Sequence, residues 1–178
     1  MSHLVAIVGL PGAGKSEAVK FFTDQNFELI YFGGLTLETL KKEGRAVTPD
    51  NEKEVRERLR REHGMAAYAT LSIPKIEAMF SEGKNIVIDG LYSWEEYLVL
   101  TEKFPTLKVV AIQAPPALRY ERLSKRPVRP LSAKEAKKRD HAQIENLHQA
   151  GPMVMADLTV NNIGTMAELL SSLKQLTF

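Results

Sequence analysis

The sequence predicts an α/β fold with three layers, in which helices cover both faces of a five-stranded parallel sheet. Five short apolar runs alternate with segments of helical periodicity, which is the pattern of strands joined by right-handed helical crossovers. The runs are apolar throughout, which indicates strands buried on both faces. A glycine-rich turn separates the first run from the first helical segment. In such a sheet, ligands are expected at the carboxyl ends of the strands.

The first half of the chain is predicted to contain two of the strands. Its strands are residues 3–8 and 27–32, and its helices are 15–25, 35–43, 51–63 and 65–80. Gly33 and Gly34 stop the second strand in a predicted turn. Thr48 precedes Pro49 in a loop that can cap the third helix. Pro74 either kinks the fourth helix or begins a new helical turn within it.

The second half repeats the alternation with three further strands. The strands are residues 85–90, 107–113 and 157–161, and the helices are 93–103, 115–126, 132–149 and 165–176. Ser93 is followed three residues later by Glu96, which predicts a capping box at the start of the first of these helices. Residues 127–131 contain Pro127 and Pro130, so they are predicted to form a short loop.

Residues 9–16, which we call the phosphate loop, fit the pattern G-x-x-x-x-G-K-[ST] between a strand and a helix. Glycines let the backbone turn tightly and bring its N–H groups against phosphate oxygens, and the helix that follows adds the positive end of its dipole. Lys15 is predicted to reach the β- and γ-phosphates of a nucleoside triphosphate, and the Ser16 hydroxyl to bind Mg²⁺. The predicted nucleotide contacts from this stretch are Gly9, Pro11, Gly12, Ala13, Gly14, Lys15, Ser16 and Glu17.

Asp89 closes the third strand next to the phosphate loop. A carboxylate at this place can hold Mg²⁺ directly or through water. The alternative is a plain helix cap or turn residue.

Five arginines follow the fourth strand. Guanidinium groups are suited to clamp the charge that spreads over a transferring phosphoryl group. They are Arg119, Arg122, Arg126, Arg129 and Arg139. A helical spacing puts Arg122 and Arg126 on one face that leads into the proline-bounded loop, which favours a functional role for these two. The alternative for the whole series is a solvated helix face, because Glu121 and Lys125 are interleaved.

Composition limits the classes of function. The chain has 178 residues, of which 44% are hydrophobic, and this suits one domain with a single sizeable core. A net charge of +2, from 24 basic and 22 acidic residues, gives no global reason to expect nucleic acid or membrane as a partner. The sequence contains no cysteine, which excludes disulfides, zinc-thiolate sites and thiol catalysis. The chain enters a strand at once and has no long apolar run, so a cytoplasmic protein is expected.

The motifs together resemble the nucleoside-monophosphate-kinase and dephospho-CoA-kinase branch of P-loop kinases, especially adenylate-kinase-like proteins often found in archaea. The resemblance runs nearly end to end and rests on residues 9–16, Asp89-Gly90, Glu121-Arg122-Leu123 with Arg126 after it, and Arg139-Asp140. It implies one P-loop kinase domain over residues 1–178 that uses ATP and Mg²⁺, with an acceptor-binding arm at 33–80 and a short lid at 126–140. It also implies catalytic roles for Lys15, Asp89, Arg122 and Arg126 and adenine contacts from Asn162 and Gly164.

The acceptor side departs from that family. Gly34 and Leu37 stand where relatives often carry Asp and Arg, and Tyr92 stands where an arginine often follows the Asp-Gly pair. The expected acceptor contacts are Gly34, Arg56, Arg60, Tyr92, Arg129 and Arg139. For Gly34, Arg56 and Arg60 the alternative is a plain turn and a helix with ion pairs to Glu52 and Glu57. Tyr31, Phe32, Tyr92 and Trp94 are either core residues or the lining of a pocket for the base of the acceptor.

The expected function is ATP-dependent phosphoryl transfer to a small phosphorylated acceptor, a nucleoside or deoxynucleoside monophosphate. An alcohol acceptor needs a general base, and the stretch after the second strand contains no acid, whereas a phosphate acceptor is already ionised. One alternative is a kinase of dephospho-CoA or another hydroxyl acceptor, with Asp89 as the base. The other is an ATP-binding switch or assembly factor with weak ATPase activity.

Overall fold

The structure is a computed structural model that describes residues 2–176, so the first residue and the last two of the predicted domain lie outside it. Within these residues five strands form one sheet in the order β2-β3-β1-β4-β5, and every neighbouring pair is parallel. The strands are β1 Leu4–Val8, β2 Phe27–Tyr31, β3 Asn85–Asp89, β4 Lys108–Gln113 and β5 Leu158–Asn161. The helices are α1 Lys15–Thr23, α2 Gly33–Lys42, α3 Pro49–His63, α4 Ala67–Ser81, α5 Trp94–Lys103, α6 Pro116–Ser124, α7 Ala133–Leu147, α8 Ala150–Val154 and α9 Met166–Lys174. The predicted α/β fold with a five-stranded parallel sheet is confirmed.

The central strand β1 is buried along its whole length and divides the core into two clusters. Successive side chains of a strand point to opposite faces, so alternate residues of β1 enter different clusters. Leu4, Ala6 and Val8 pack with residues of α2 to α5, whereas Val5 and Ile7 pack with α1 and α9. Helices therefore cover both faces of the sheet.

The two edge strands are less buried than the sequence predicts. In β2 the side chains of Leu29 and Tyr31 are 40% and 48% exposed, and β5 likewise has exposed positions. An apolar run shows that a strand is hydrophobic, but the strand's place in the sheet decides how much of it neighbouring elements cover. The prediction of strands buried on both faces holds for the interior strands only.

Local capping signals are confirmed. The Thr48 hydroxyl accepts a hydrogen bond from the backbone N–H of Asn51 at 3.2 Å, and Pro49 is the first residue of α3. Ser93 and Glu96 form the predicted capping box at the start of α5. These contacts join residues three apart, so the sequence alone specifies them.

Several predicted boundaries are wrong. Gly33 and Gly34 form the first turn of α2, since Phe32 is buried and already has helical backbone angles. By contrast, the predicted helix over residues 65–80 contains Pro74, and α4 does continue through Pro74. His148, in the left-handed region at φ 55°, ends α7 and allows the chain to begin α8, which was not predicted.

Helix α6 ends at Ser124, so Arg126 lies in the following loop and not on a helical face shared with Arg122.

In the described part of the chain, no helix is long and apolar enough to cross a membrane.

Candidate active site

A cavity of about 550 Å³, which we call the donor cavity, lies beside the phosphate loop at the carboxyl end of the sheet. Parallel pairing places Asp89 level with Ile7 on one side and with Tyr31 on the other, so strand ends from three elements meet here. The predicted site residues that line the cavity are Pro11, Gly12, Gly14, Lys15, Ser16, Glu17, Asp89, Tyr92, Arg122, Arg126, Arg139, Asn162 and Gly164.

The phosphate loop is held through its carbonyl oxygens, by four side chains from later parts of the chain and by its own Lys15. Every carbonyl from residue 9 to residue 13 accepts a hydrogen bond from a side chain. The N–H group of Ala13 donates to the Leu10 carbonyl oxygen at 3.2 Å, and a glycine-rich loop before a helix presents its other N–H groups to an anion, as in an anion-binding nest. The pairs are Gly9 with Gln149 (3.2 Å), Leu10 with Lys15 (3.3 Å), Pro11 with Arg119 (3.0 Å), Gly12 with Arg122 (3.5 Å) and Ala13 with Asn162 (2.8 Å).

Two predicted contacts do not reach the donor cavity. Gly9 and Ala13 are absent from its lining. Ala13 is buried in the core, and a side chain at Gly9 would collide with the carbonyl oxygen of Ile112. Both residues therefore shape the loop. Gly12 and Gly14 do line the cavity, with φ of 81° and 105°, a region that other residues rarely adopt.

Lys15 and Asp89 form the charged centre of the donor cavity. Burial is the main cause that lowers the pKa of Lys15 to about 8; Asp89 opposes this shift, and Arg139, Arg126 and Arg119 contribute to it. Burial also raises the pKa of Asp89, while Lys15 and the N–H of Gly90 oppose the rise. A buried ammonium surrounded by guanidinium groups is a site for a highly charged anion such as a triphosphate.

The arginines of the predicted series have different surroundings. Arg119 is only 3% exposed and makes a bidentate ion pair with Asp140, so it does not face the donor cavity. Arg122 lines the cavity one helical turn later, where it contacts Gly12 and the side-chain oxygen of Asn162 at 3.5 and 3.4 Å. Arg126 lines the cavity from the loop after α6.

A second cavity of about 630 Å³, which we call the acceptor cavity, adjoins the first. The two share the lining residues Tyr31, Tyr92, Arg139 and Gln143. Four guanidinium groups and one carboxylate line the acceptor cavity among the residues the structure describes, which gives it a positive balance. These charged residues are Arg56, Arg60, Arg129, Arg139 and Glu52.

The charges of the acceptor cavity are incompletely paired. Arg56 and Arg129 both reach the Glu52 carboxylate, each at 3.5 Å. Arg60 lies over the Tyr68 ring, 5.1 Å from its centroid, and its buried Nε has no hydrogen-bond partner. An unpaired buried donor is costly unless a ligand satisfies it.

Gly34, which was predicted to contact the acceptor, lines neither cavity. Helix α2 begins at Gly33, which does line the acceptor cavity, and the next residue points about 100° away around the helix. Phe32 and Trp94 are also excluded from both linings. Phe32 is in the core, and Trp94 stacks on Tyr97 with ring centroids 5.0 Å apart.

Sequence reasoning missed Gln143, which lines both cavities. It follows Arg139 by four residues on α7, and that spacing places the two side chains on one face. Because Arg139 was a candidate, the spacing of four residues on a predicted helix could have identified Gln143 as well. Burial raises the pKa of Tyr92 to about 12, so its hydroxyl stays protonated and can donate a hydrogen bond at the junction of the cavities.

Ser16 and Asp89 provide oxygen ligands in the cavity that contains Lys15. No group of three or more His, Cys, Asp or Glu side chains suited to a metal occurs among residues 2–176. This fits Mg²⁺, which takes one or two protein ligands together with phosphate oxygens and water.

The chain is similar to known proteins over most of its length. Residues 5–148 match the AAA_18 family, described as an AAA domain. A UPF0200 protein of Thermococcus kodakarensis is 32% identical over 177 residues, which cover 97% of this chain and 95% of that protein.

Solved structures of kinases have the same fold. Shikimate kinase from Bacteroides thetaiotaomicron superposes with a TM-score of 0.59 at 19% identity, over 97% of this chain and 95% of that one. Dephospho-CoA kinase from Campylobacter jejuni superposes with a TM-score of 0.53 at 16% identity, over 98% and 95%. At these identities the similarity shows the P-loop kinase fold alone. The chain therefore belongs to the AAA_18 domain family and to the UPF0200 proteins.

Proposed function

We propose that this protein transfers the γ-phosphoryl group of ATP to a small phosphorylated acceptor, a nucleoside or deoxynucleoside monophosphate. The observation that carries the proposal is the acceptor cavity, which adjoins the donor cavity and has four guanidinium groups against one carboxylate among its described lining residues. Such a balance favours an anionic acceptor, and guanidinium groups bind phosphate by paired hydrogen bonds.

Among the described residues that line the acceptor cavity, no carboxylate is free of an ion pair to act as a general base. Glu52 is the carboxylate of its described lining, and it is engaged with Arg56 and Arg129. An alcohol must lose a proton as it attacks, whereas a phosphate monoester is already mostly ionised at neutral pH. A phosphate oxygen therefore needs only positioning and charge screening, which arginines supply.

The lining of the acceptor cavity also includes apolar side chains, which suit a flat, apolar group. Leu37 and Val47 line it and are 40% and 57% exposed. Tyr31 and Tyr92 add two aromatic rings at the junction with the donor cavity. Exposed apolar side chains next to arginines match a ligand that carries both a base and a phosphate.

In the proposed reaction, an acceptor phosphate oxygen attacks the γ-phosphorus and the bond from that phosphorus to the β–γ bridging oxygen breaks, releasing ADP. Lys15, Arg122, Arg126 and Arg139 offset the negative charge on the moving group. Mg²⁺ bound with ATP would neutralise part of the phosphate charge, with Ser16 and Asp89 as its protein ligands.

A kinase that phosphorylates a hydroxyl group, of dephospho-CoA or another hydroxyl acceptor, is the second candidate, and Asp89 supports it. Burial raises the pKa of this carboxyl, which moves it toward the range of a general base, and Asp89 pairs in register with Tyr31 at the edge of the acceptor cavity. Two solved kinases of this fold are named for shikimate and dephospho-CoA.

The test is to incubate the protein with Mg·ATP and single acceptors from a panel of nucleoside monophosphates, deoxynucleoside monophosphates, dephospho-CoA and shikimate. We expect ADP and a nucleoside diphosphate to form together with one or more monophosphates. Transfer to dephospho-CoA or shikimate alone would refute the proposal and make Asp89 the base to test. Slow ADP release that no acceptor accelerates would support a nucleotide-dependent switch.

Two variants connect the activity to the acceptor cavity. Replacing Arg60 with alanine should raise the KM of the acceptor at least tenfold and leave the Kd of ATP within about twofold. Arg58→Ala is the matched control, because Arg58 lies on the same helix, pairs with Glu43 and lines neither cavity. An equal effect of both variants would show that the acceptor binds elsewhere.

A further inference from the structure

We infer that the buried Arg119–Asp140 pair is a positioning element that fixes helix α7 to the phosphate loop and thereby holds Arg139 beside Lys15. The inference rests on the proposed function in that Arg139 acts on the phosphates of ATP. The same inference divides the predicted lid, residues 126–140, into two parts: a loop that can move, and the first part of α7, which the Arg119–Asp140 pair holds in place.

Arg119 uses three of its nitrogen atoms to join three parts of the chain. Its Nη1 donates to the Pro11 carbonyl oxygen and to Asp140 Oδ1, both at 3.0 Å, and its Nη2 donates to Asp140 Oδ2 at 2.6 Å. Its Nε donates to the Ala114 carbonyl oxygen at 3.1 Å. The Tyr120 hydroxyl also donates to Asp140 Oδ2, at 2.9 Å. A bidentate pair fixes the relative orientation of two groups as well as their distance. The contacts of Arg119 therefore hold α6, α7 and the phosphate loop in a fixed arrangement relative to one another.

A second tie holds the far end of α7. Gln149 follows the helix after the left-handed His148, is fully buried, and donates from Nε2 to the Gly9 carbonyl oxygen at 3.2 Å. The Gln149 N–H donates to the Gln143 carbonyl oxygen at 3.1 Å, which closes the end of the helix. Helix α7 is thus attached to the phosphate loop near its middle and at its end.

The two residues of α7 that line the donor cavity lie close to these ties, one directly before the first tie and one between the two. Arg139 directly precedes Asp140, and Gln143 is one turn further on. Both line the donor and acceptor cavities. Arg139 is also close enough to Lys15 to lower its pKa. Fixing Asp140 therefore fixes the position of Arg139 relative to the phosphates that Lys15 is proposed to bind.

The pair is suited to a test by paired replacement. Asp140 is 4% exposed, so removing its charge alone leaves a buried guanidinium without its partner and destabilises the fold. Replacing both members with apolar residues of similar size avoids this unpaired charge. The double variant R119M/D140L can therefore separate a stabilising role of the pair from a positioning role.

The variants are D140N, R119M/D140L, R139A and R139A/D140N. Each is compared with the wild type for its urea unfolding midpoint, for the Kd of Mg·ATP by calorimetry, and for ATP turnover with the best acceptor or by slow hydrolysis. We expect D140N to lower turnover at least tenfold. R119M/D140L should recover the wild-type unfolding midpoint but not the turnover. In the R139A background, D140N should lower neither turnover nor ATP affinity further, because the two residues act through one contact.

Glu121→Gln is the matched control, since Glu121 pairs with Lys125 on the exposed face of the same helix α6. Wild-type turnover in R119M/D140L would overturn the inference, and so would losses that multiply in R139A/D140N. If no acceptor is phosphorylated, the proposed function fails, but ATP affinity and hydrolysis still decide the role of the pair.

Discussion

At the scale of single residues, burial brings the pKa values of two ionisable side chains close to physiological pH. Burial lowers the pKa of Lys15 to about 8 and raises the pKa of Glu96 to about 7. Lys15 lines the donor cavity, whereas Glu96 is buried in the capping box of α5, where it accepts hydrogen bonds from the N–H groups of Tyr92 and Ser93. Burial is therefore expected to affect ligand binding through Lys15 and the stability of the fold through Glu96.

Lys15 should take up a proton when Mg·ATP binds. Near pH 8 about half of the free protein carries a neutral Lys15, and the bound phosphates should raise its pKa. Calorimetry in buffers of different ionisation enthalpy should therefore show an uptake of about half a proton at pH 8, which fades below pH 7. Lys15→Ala should abolish this uptake.

The same variant should lower phosphoryl transfer by about 10²–10³-fold. It should leave the unfolding midpoint at least as high as in the wild type, because it removes a buried charge. Wild-type turnover of Lys15→Ala in magnesium would show that the phosphate loop is assigned wrongly.

Glu96 should make the free energy of unfolding fall as the pH rises from about 4.5 to about 7. In this range the folded protein binds a proton at Glu96 that the unfolded chain has lost, since the pKa is about 7 in the fold and 4.5 ordinarily. Relative to Glu96→Gln, the wild type should lose roughly 2–3 kcal/mol across this range. Urea denaturation at several pH values measures the difference.

Glu168→Gln is the control for this experiment. Glu168 completes the capping box of α9 but is exposed, and hydrogen bonds from Thr165 lower its pKa. Its contribution should therefore be lost only as the pH falls below about 4.5. Identical pH profiles for Glu96→Gln and the wild type would show that Glu96 is ionised at an ordinary pKa.

At the scale of elements, the segment between α6 and α7 differs from the helices that flank it. Residues 125–132 form a loop, in which Arg129 has a positive φ of 51° and reaches Glu52 on α3 at 3.5 Å. Arg126 lies in the same loop and lines the donor cavity. A loop with few buried contacts can close over bound phosphates without moving α6 or α7.

Arg126→Ala should lower kcat about 10–100-fold and weaken ATP binding less than threefold, because the guanidinium acts on charge that develops during transfer. Steady-state kinetics and calorimetry measure the two effects. Lys125→Ala is the neighbouring control, since Lys125 is exposed and pairs with Glu121. An unchanged kcat together with a lower unfolding midpoint would indicate a structural role for Arg126.

At the scale of the whole molecule, the donor cavity joins elements from both halves of the chain. The phosphate loop, Asp89 at the end of β3, the α6–α7 region and Asn162 after β5 all contribute to its lining. A ligand that contacts all of these elements binds only the folded chain, so it should stabilise the fold as a whole.

Mg·ATP at about 100 times its Kd should add roughly 2.7 kcal/mol to the free energy of unfolding and raise Tm by roughly 5–10 °C. Differential scanning calorimetry measures the shift. Addition of an accepted monophosphate should raise Tm further, and Lys15→Ala should remove most of the shift caused by ATP. Equal shifts with ATP in the wild type and in Lys15→Ala would place the nucleotide outside the donor cavity.

The sequence by itself determined the features that depend on neighbours within a few residues. The phosphate loop, the capping box of Ser93 and Glu96 and the Thr48 cap join residues at most a few positions apart. The alternation of apolar runs with helices was enough to predict the parallel sheet, since right-handed helical crossovers leave few other topologies. The clustering of Lys15, Asp89, Arg122 and Arg126 at one cavity follows from the same rule, because parallel strands end at one edge.

Only the tertiary structure decided which partner each side chain meets across the chain. Arg119 and Arg122 belong to one arginine series, yet Arg119 turns inward to Asp140 while Arg122 faces the donor cavity. Gln149 gave no signal in the sequence, although it holds a carbonyl oxygen of the phosphate loop 140 residues away. Helical spacing tells which residues share a face, but the packing of that face against distant elements decides whether a charge is buried in a pair or open to a ligand.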